Sequence, residues 1–209
     1  MTRGGGLDRE AATSIGKGGI MSKQKTNIFE SAKNGLVSTI EGSGDVVSAA
    51  VDTVSGTLAT ALKGAGRIGT EGTQAITDVA RGVISGASEI GSDLGGVAKG
   101  TVIGVLRGTK EAGAEVMDTI GHTSSSVIKG TAEVGGDLGT AAKGLVQGAI
   151  HGAKDMGLSA EAAAAAAAGG ALVAAGKVGA KAAEKVRNAV TGTIDGVKVV
   201  LREPFEDRD

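Results

Sequence analysis

The sequence predicts an all-α protein built from long amphipathic repeat helices. Three observations carry this prediction: a 22-residue interval that recurs along the chain, apolar residues at helical spacing within it, and an unbroken run of alanines at 162–168. A repeat of eleven residues in three turns gives ~3.67 residues per turn, close to the ~3.6 of an α-helix. Alanine is the strongest helix former and is depleted in strands, so the run at 162–168 favours helix over strand.

The repeat can be read directly from the letters. GVLRGTKEAGA at 104–114, SVIKGTAEVGG at 126–136 and GAIHGAKDMGL at 148–158 follow one another at intervals of 22 residues. Five further copies align in the same way, which gives eight, and the residues between these segments align as well, so the unit is two elevens. We therefore predict that repeat helices occupy residues 27–202.

The two ends of the chain fall outside the repeats. Residues 1–26 are expected to form a disordered extension, and the sequence leaves open whether Met1 or Met21 is the true start. At the other end, Pro204 cannot sit in a helix interior. Residues 203–209 are therefore expected to be a frayed tail.

A continuous helix over the repeats would reach ~260 Å. We therefore expect it to fold back into two or more antiparallel segments, or to be conditionally disordered. Bends are expected near Gly121–Ser126 and Gly169–Gly170. A β-solenoid with a 22-residue coil is the structural alternative, because Val, Thr, Ile and Gly are plentiful, but alternation of period two is not sustained anywhere.

One face of the predicted helices is apolar. Spacings of three and four residues connect its members, as expected for one stripe of a helix. This apolar stripe would pack against lipid or against other helices. Its members are Ile84, Gly91, Leu94, Ala98, Val102, Leu106, Gly113, Val116, Ile120, Ile128, Gly135, Leu138, Ile150 and Gly157.

Glycine recurs at two places of the repeat. Counted from Gly82 in GVISGASEIGS, it fills the fifth place in seven of eight copies and the tenth place in six consecutive copies. The tenth place lies in the middle of the predicted stripe and the fifth at its edge. Each glycine inside a helix costs ~1 kcal/mol relative to alanine, whereas a whole domain has a net stability of only ~5–15 kcal/mol. A lone helix of this sequence is therefore not expected to persist in water.

Three interpretations of the glycines remain open. In the first, glycines at spacing four, as over 96–108, let helices approach closely. In the second, the chain stays disordered until it meets a lipid surface or loses water. In the third, a glycine ends each short helix and Thr109 or Thr131 caps the next, so that short helices stack as a solenoid.

The composition argues against an enzyme. The 22 basic and 23 acidic residues nearly cancel, so no excess of positive charge favours nucleic acid. The chain lacks cysteine, and its two histidines, His122 and His151, share no metal-ligand spacing. We expect no catalytic residues, no cofactor, no metal and no small-molecule substrate. With neither a signal peptide nor a conventional membrane span recognisable, a cytoplasmic or peripheral membrane location is expected.

In period and residue type, residues 27–202 resemble known families of 11-residue repeats. GVLRGTKEAGAEVMDTI at 104–120 and GLVQGAIHGAKDMG at 144–157 are similar to the lipid-binding repeats of synucleins and of perilipin-type lipid-droplet coats. GTKEAGAEV at 108–116 resembles the repeat of group 3 late embryogenesis abundant proteins. This resemblance implies a chain that is disordered in water and becomes helical on drying or on a lipid surface.

Two hypotheses for function follow from these patterns. The first is a non-enzymatic stress or surface protein, late embryogenesis abundant-like, whose apolar stripe covers lipid or protein surfaces. The second is a structural protein that associates with itself through the glycine-lined stripe, as a bundle or a filament. The expected partners are accordingly a lipid or membrane surface, or further copies of the chain.

Overall fold

A computed structural model describes most of the predicted repeat region, namely residues 27–42, 44–63, 69–112 and 116–201. Within this part of the chain the protein is helical apart from one short β-hairpin, so the all-α prediction is confirmed. The extension and the tail that were predicted for the two chain ends lie outside the described residues.

Eight helices and two strands follow one another along the described residues. Helices α4, α6 and α7 begin at 94, 138 and 160, which are separated by multiples of the 22-residue interval. The helices are α1 (27–42), α2 (Val46–Leu62), α3 (Thr70–Glu89), α4 (Leu94–Glu111), α5 (Met117–Glu133), α6 (Leu138–Asp155), α7 (Ala160–Val178) and α8 (Ala180–Val190), and the strands are β1 (Gly192–Ile194) and β2 (Val197–Val199).

Side-chain caps mark the starts of four helices. The carboxylates of Asp45, Asp93 and Asp137 accept hydrogen bonds from backbone N–H groups in the first turns of α2, α4 and α6. The Ser159 hydroxyl does the same for Ala162 in α7, at 3.1 Å. Such caps satisfy N–H groups that have no partner within the helix, and each is worth about 1 kcal/mol.

Three glycines in the left-handed conformation end the preceding helices. Gly91, Gly135 and Gly157 have φ angles of 64°, 70° and 70°, which glycine adopts without steric strain. In each case the next residue donates its N–H to a carbonyl five residues earlier, at 2.8 Å, as in the Schellman motif. The expectation that these tenth-place glycines lie within the apolar stripe is therefore wrong, because they lie in the connections between helices.

These connections divide the described repeat region into short helices. The bends expected near 121–126 and 169–170 are wrong, since both segments lie inside helices, α5 and α7 respectively. Thr109 and Thr131 also lie inside helices and do not cap them. The chain breaks at Gly91, Gly135, Gly157 and Gly179, which adopt positive φ, unlike the glycines before Thr109 and Thr131. Gly69, at the same place of the repeat, has a φ of -82° and directly precedes α3.

Alternate helices pack side by side and run in the same direction. Along α4, Gly100 faces Val47 and Gly108 faces Ser55, so the contact advances along α2 as it advances along α4. The same sense holds for α5 on α3 and for α6 on α4. Helices α1, α3, α5 and α7 thus form one layer and α2, α4, α6 and α8 the other, and consecutive helices connect the layers.

A single contiguous core joins the two layers, and its side chains are small. All eight buried residues of α7 are alanine. Larger side chains such as Leu58, Leu106 and Leu145 are completely buried but are widely spaced. Because small side chains let helix backbones approach closely, this core fills its volume without aromatic residues.

The eighth sequence repeat is not helical. Helix α8 ends at Val190, and strands β1 and β2 pair antiparallel, with Ile194 opposite Val197. Between them, Asp195 and Gly196 have φ angles of 46° and 80°. An Asp-Gly pair flanked by alternating apolar residues is a strong hairpin signal, since both turn residues need positive φ. The prediction of helix up to residue 202 is wrong here for that reason.

Candidate functional site

The apolar stripe that the sequence predicts is mostly inside the folded chain. Leu94 and Val116 are partly buried and pack against the core. Gly91, Gly135 and Gly157 are exposed in the connections, and Gly113 lies outside the described residues. The members that are 8% exposed or less are Ile84, Ala98, Val102, Leu106, Ile120, Ile128, Leu138 and Ile150. In this folded state the stripe contacts other helices of the same chain.

Glycines inside the helices mark where neighbouring backbones approach. A Cβ added at Gly100 would lie 2.5 Å from the Val47 carbonyl oxygen, and one at Gly86 would lie 2.8 Å from the Lys33 carbonyl oxygen. Real Cβ atoms essentially never come within 3.0 Å of such a neighbour. These contacts support the first interpretation of the glycines, in which they allow close helix packing.

Glycines of one helix pack on the helix two before it, at a place that recurs with the repeat. Gly148 of α6 packs on Lys99 of α4, and Gly170 of α7 packs on Gly121 of α5. Lys99 and Gly121 are 22 residues apart in the sequence. Counting on by two further intervals reaches Ala165 of α7, so Ala165 occupies the place at which α4 and α5 each receive a helix.

The outer face of α7 surrounds this receiving place. We define it by Ala162, Ala165, Gly169, Val173 and Gly176, all of which are at least partly exposed to solvent. No atom lies within 4 Å of a Cβ added at either glycine, and Val173 is 50% exposed. The face thus combines small and apolar residues with open space.

No charge interrupts the outer face of α7. The helix carries only Glu161 in its first turn and Lys177 in its last turn. Among the described helices, α7 alone has the length and composition to cross a membrane, and 39% of its most apolar window is buried inside the protein. The alanine run at 162–168 predicted a helix but not this surface, which depends on α7 being the last described helix of its layer.

Ion pairs join alternate helices along the exposed sides of the layers. Lys33 pairs with Glu89 at 2.6 Å and Arg81 pairs with Glu133 at 2.6 Å. The hydrogen bond to Glu89 raises the pKa of Lys33. These side chains are partly or largely exposed to solvent, so the pairs orient neighbouring helices more than they stabilise them.

A further ion pair connects α8 to the start of α6. Lys185 contacts the Asp137 carboxylate, which also caps α6 by accepting a hydrogen bond from the Thr140 N–H at 2.7 Å. The Lys185 hydrogen bond, followed by that of Thr140, lowers the pKa of Asp137 to about 2. Asp137 therefore remains ionised at neutral pH and holds α8 against α6.

The two histidines do not come together. His151 on α6 pairs through Nε2 with the Asp195 carboxylate at 3.1 Å, and Gln147 donates to the same side chain at 3.1 Å, so both tie α6 to the hairpin turn. His122 is exposed on α5. Over the described ranges, no three His, Cys, Asp or Glu side chains are placed to hold a metal ion.

Comparison with known proteins does not assign the chain to a family. No protein-family model matches the sequence, and no curated protein is significantly similar to it. The interpretation of function therefore depends on the residues and their geometry.

Proposed function

We propose that this chain is a non-enzymatic structural protein that associates with further copies of itself through the outer face of α7. The observation that carries the proposal is the partly exposed receiving place at Ala165, within an uncharged face of small residues. A helix of a second copy would extend the packing by which α7 already sits on α5.

The position of α7 in its layer supports this proposal. Helix α4 lies between α2 and α6, and α5 lies between α3 and α7, so each of them packs on a helix on either side. Among the described helices of its own layer, α7 packs on α5 alone. An exposed apolar face on the last helix of a stack is a recurrent reason for association, since terminal units of such stacks need a polar outer face to remain soluble.

We also infer that each 22-residue unit supplies one helix and that consecutive helices run antiparallel. Thr77 bonds to Ser126 and Arg81 to Glu133, so α5 lies parallel to α3 with its start near the start of α3. Helix α4 must then carry the chain back between them.

Sedimentation velocity over a hundredfold range of protein concentration tests the self-association. We expect dimers or larger species for the natural sequence, and monomers for Val173→Glu, because a half-exposed valine can become glutamate without loss of core packing. Asn188→Glu adds the same charge on the exposed side of α8 and should associate normally. A natural sequence that remains monomeric throughout would refute the proposal.

Lipid-surface binding is the second candidate, and the length and apolar composition of α7 favour it. In this version the same outer face lies against the headgroup and acyl boundary of a membrane. Co-flotation with phosphatidylglycerol vesicles distinguishes lipid binding from self-association. Flotation that Val173→Glu abolishes, in a chain that sediments as a monomer without lipid, would favour the lipid interpretation over self-association.

A further inference from the structure

An open cavity of about 860 Å³ lies where α1, α2 and α3 meet. None of the described residues that line it belongs to α7, so it takes no part in the proposed self-association. Its wall includes Ile28 of α1, Thr57 and Thr60 of α2, and Gln74 and Asp78 of α3. Its volume lies within the range of roughly 300–1,000 Å³ that is usual for small-molecule sites.

The cavity marks a departure from the regular packing of alternate helices. Asp78 occupies the same place of the repeat as Gly100 and Gly144, since the three positions differ by multiples of 22. A Cβ at Gly100 would meet the Val47 carbonyl oxygen at 2.5 Å, and one at Gly144 would collide with the backbone of Gly95. No side chain fits at those two positions.

In α3 the same place holds a carboxylate that lines the cavity. Gly82, one turn beyond Asp78, packs against the Phe29 carbonyl oxygen of α1. Asp78 lies one turn before that contact, in the wall of the cavity. The sequence thus places an acidic side chain where α4 and α6 carry glycine.

The Asp78 carboxylate is buried and only half satisfied. Its residue is 8% exposed, Oδ1 accepts a hydrogen bond from Gln74 Nε2 at 2.9 Å, and Oδ2 is buried without any hydrogen-bond partner. A buried charge without a partner is costly, so it is normally paired. Among the described residues that line the cavity there is no Lys, Arg or His, whereas Glu71 adds a second carboxylate.

We propose that this cavity binds a small organic cation, a primary ammonium group with an apolar body. The ammonium would donate to Asp78 Oδ2 and to threonine hydroxyls such as that of Thr57, and it would supply the missing positive charge. The apolar body would lie against Ile28 and Leu62. A divalent metal ion is not favoured, because among the described residues no three His, Cys, Asp or Glu side chains are placed together to hold one. This proposal departs from the sequence-based expectation of no small-molecule partner.

Calorimetric titration with hexylamine tests the proposal, with hexanol and hexanoate as matched neutral and anionic probes. We expect saturable binding of hexylamine to the full chain at pH 7, and binding of both other probes at least about tenfold weaker, because neither can form the charged hydrogen bond to Asp78. Hexanol that binds as tightly as hexylamine would overturn the assignment to a cation. So would a hexylamine titration without saturable heat.

Two variants locate the site. Asp78→Asn keeps the shape of the side chain and removes its charge, and it should weaken hexylamine binding at least about tenfold. Asp118→Asn, which removes an exposed carboxylate on α5, should leave the affinity unchanged. Unchanged affinity in Asp78→Asn, with the helical circular dichroism of the natural chain, contradicts the proposal.

A third variant keeps the test decisive if Asp78→Asn does not fold. Gly56 lines the cavity from α2, and no atom lies within 4 Å of a Cβ added there. Gly56→Leu should occupy part of the cavity and weaken hexylamine binding without touching Asp78. Full affinity in this variant would place the hexylamine elsewhere on the protein and refute the proposal.

Discussion

Two glycines at the same place of the repeat provide a matched test of close helix packing. Gly56 in α2 and Gly100 in α4 are 44 residues apart, and both lie inside helices. A Cβ added at Gly56 meets nothing within 4 Å. A Cβ added at Gly100 would lie 2.5 Å from the Val47 carbonyl oxygen and 2.6 Å from the Ala50 Cβ. Substitution by alanine therefore raises the helix propensity equally at the two positions, but it creates a steric clash only at Gly100.

The two substitutions are expected to change the free energy of unfolding in opposite directions. Replacing glycine by alanine inside a helix stabilises by ~1 kcal/mol, so Gly56→Ala should raise the free energy of unfolding by about 0.5–1 kcal/mol. At Gly100 the neighbouring atoms must move apart by at least about 0.5 Å, and overpacking of this kind costs ~1–3 kcal/mol. Because two neighbours are affected, one of them backbone, Gly100→Ala should be less stable than the natural chain by about 1–2 kcal/mol.

Urea unfolding followed by circular dichroism at 222 nm measures both effects. The two variants should differ by about 1.5–3 kcal/mol in the free energy of unfolding, on either side of the natural sequence. If Gly100→Ala proves as stabilising as Gly56→Ala, then α2 and α4 do not approach closely, and the explanation of the glycines fails. The absence of a cooperative transition in the natural chain would refute it as well.

Three further predictions concern two helix starts and the hairpin turn. The folded-state pKa of Asp137 is lowered to about 2 by Lys185, so its charge stabilises the fold above the ordinary value of 3.8, and this contribution is lost as pH falls through about 2. Asp137→Asn, which retains the cap, should have a lower urea midpoint than the natural chain at pH 6, and the difference should shrink as pH falls from 3.8 towards 2. Gly196→Val forces a branched side chain to a φ of 80°, which should cost roughly 1–2 kcal/mol and accelerate amide exchange in β2. Asp93→Ala removes the cap of α4 and should lower the free energy of unfolding by about 1 kcal/mol in urea titrations.

The periodic part of the fold could be predicted from the sequence, because helical periodicity reflects burial on one side. Val102, Leu106 and Ile128 were assigned to one apolar stripe from spacing alone, and all are fully buried. The breaks could not be found in that way. Gly91 fits the stripe in spacing, and only its backbone conformation, set by the hydrogen bond from Ser92 to Ala87, shows that the helix ends there.

Local chemistry that interrupts the repeat was also missed. Asp195 and Gly196 have the sequence of a tight hairpin turn, but they are in register with pairs such as Arg107-Gly108 and Lys129-Gly130, which lie inside helices, and the period outweighed the turn signal. The sequence did not distinguish Asp78 from the other carboxylates. Its burial depends on tertiary packing, which no spacing within α3 contains.

The two-layer arrangement restricts how a chain of this kind can change its length. Each helix packs on the helix two before it, so the loss of one helix with its connection would transfer every later helix to the opposite layer and set its glycines against unsuited neighbours. The loss or gain of two consecutive helices preserves both layers and brings glycines such as Gly148 against another receiving position of the type that Lys99 provides. Duplication and deletion in evolution should therefore be tolerated in pairs of helices, and shorter or longer relatives should differ by an even number of them.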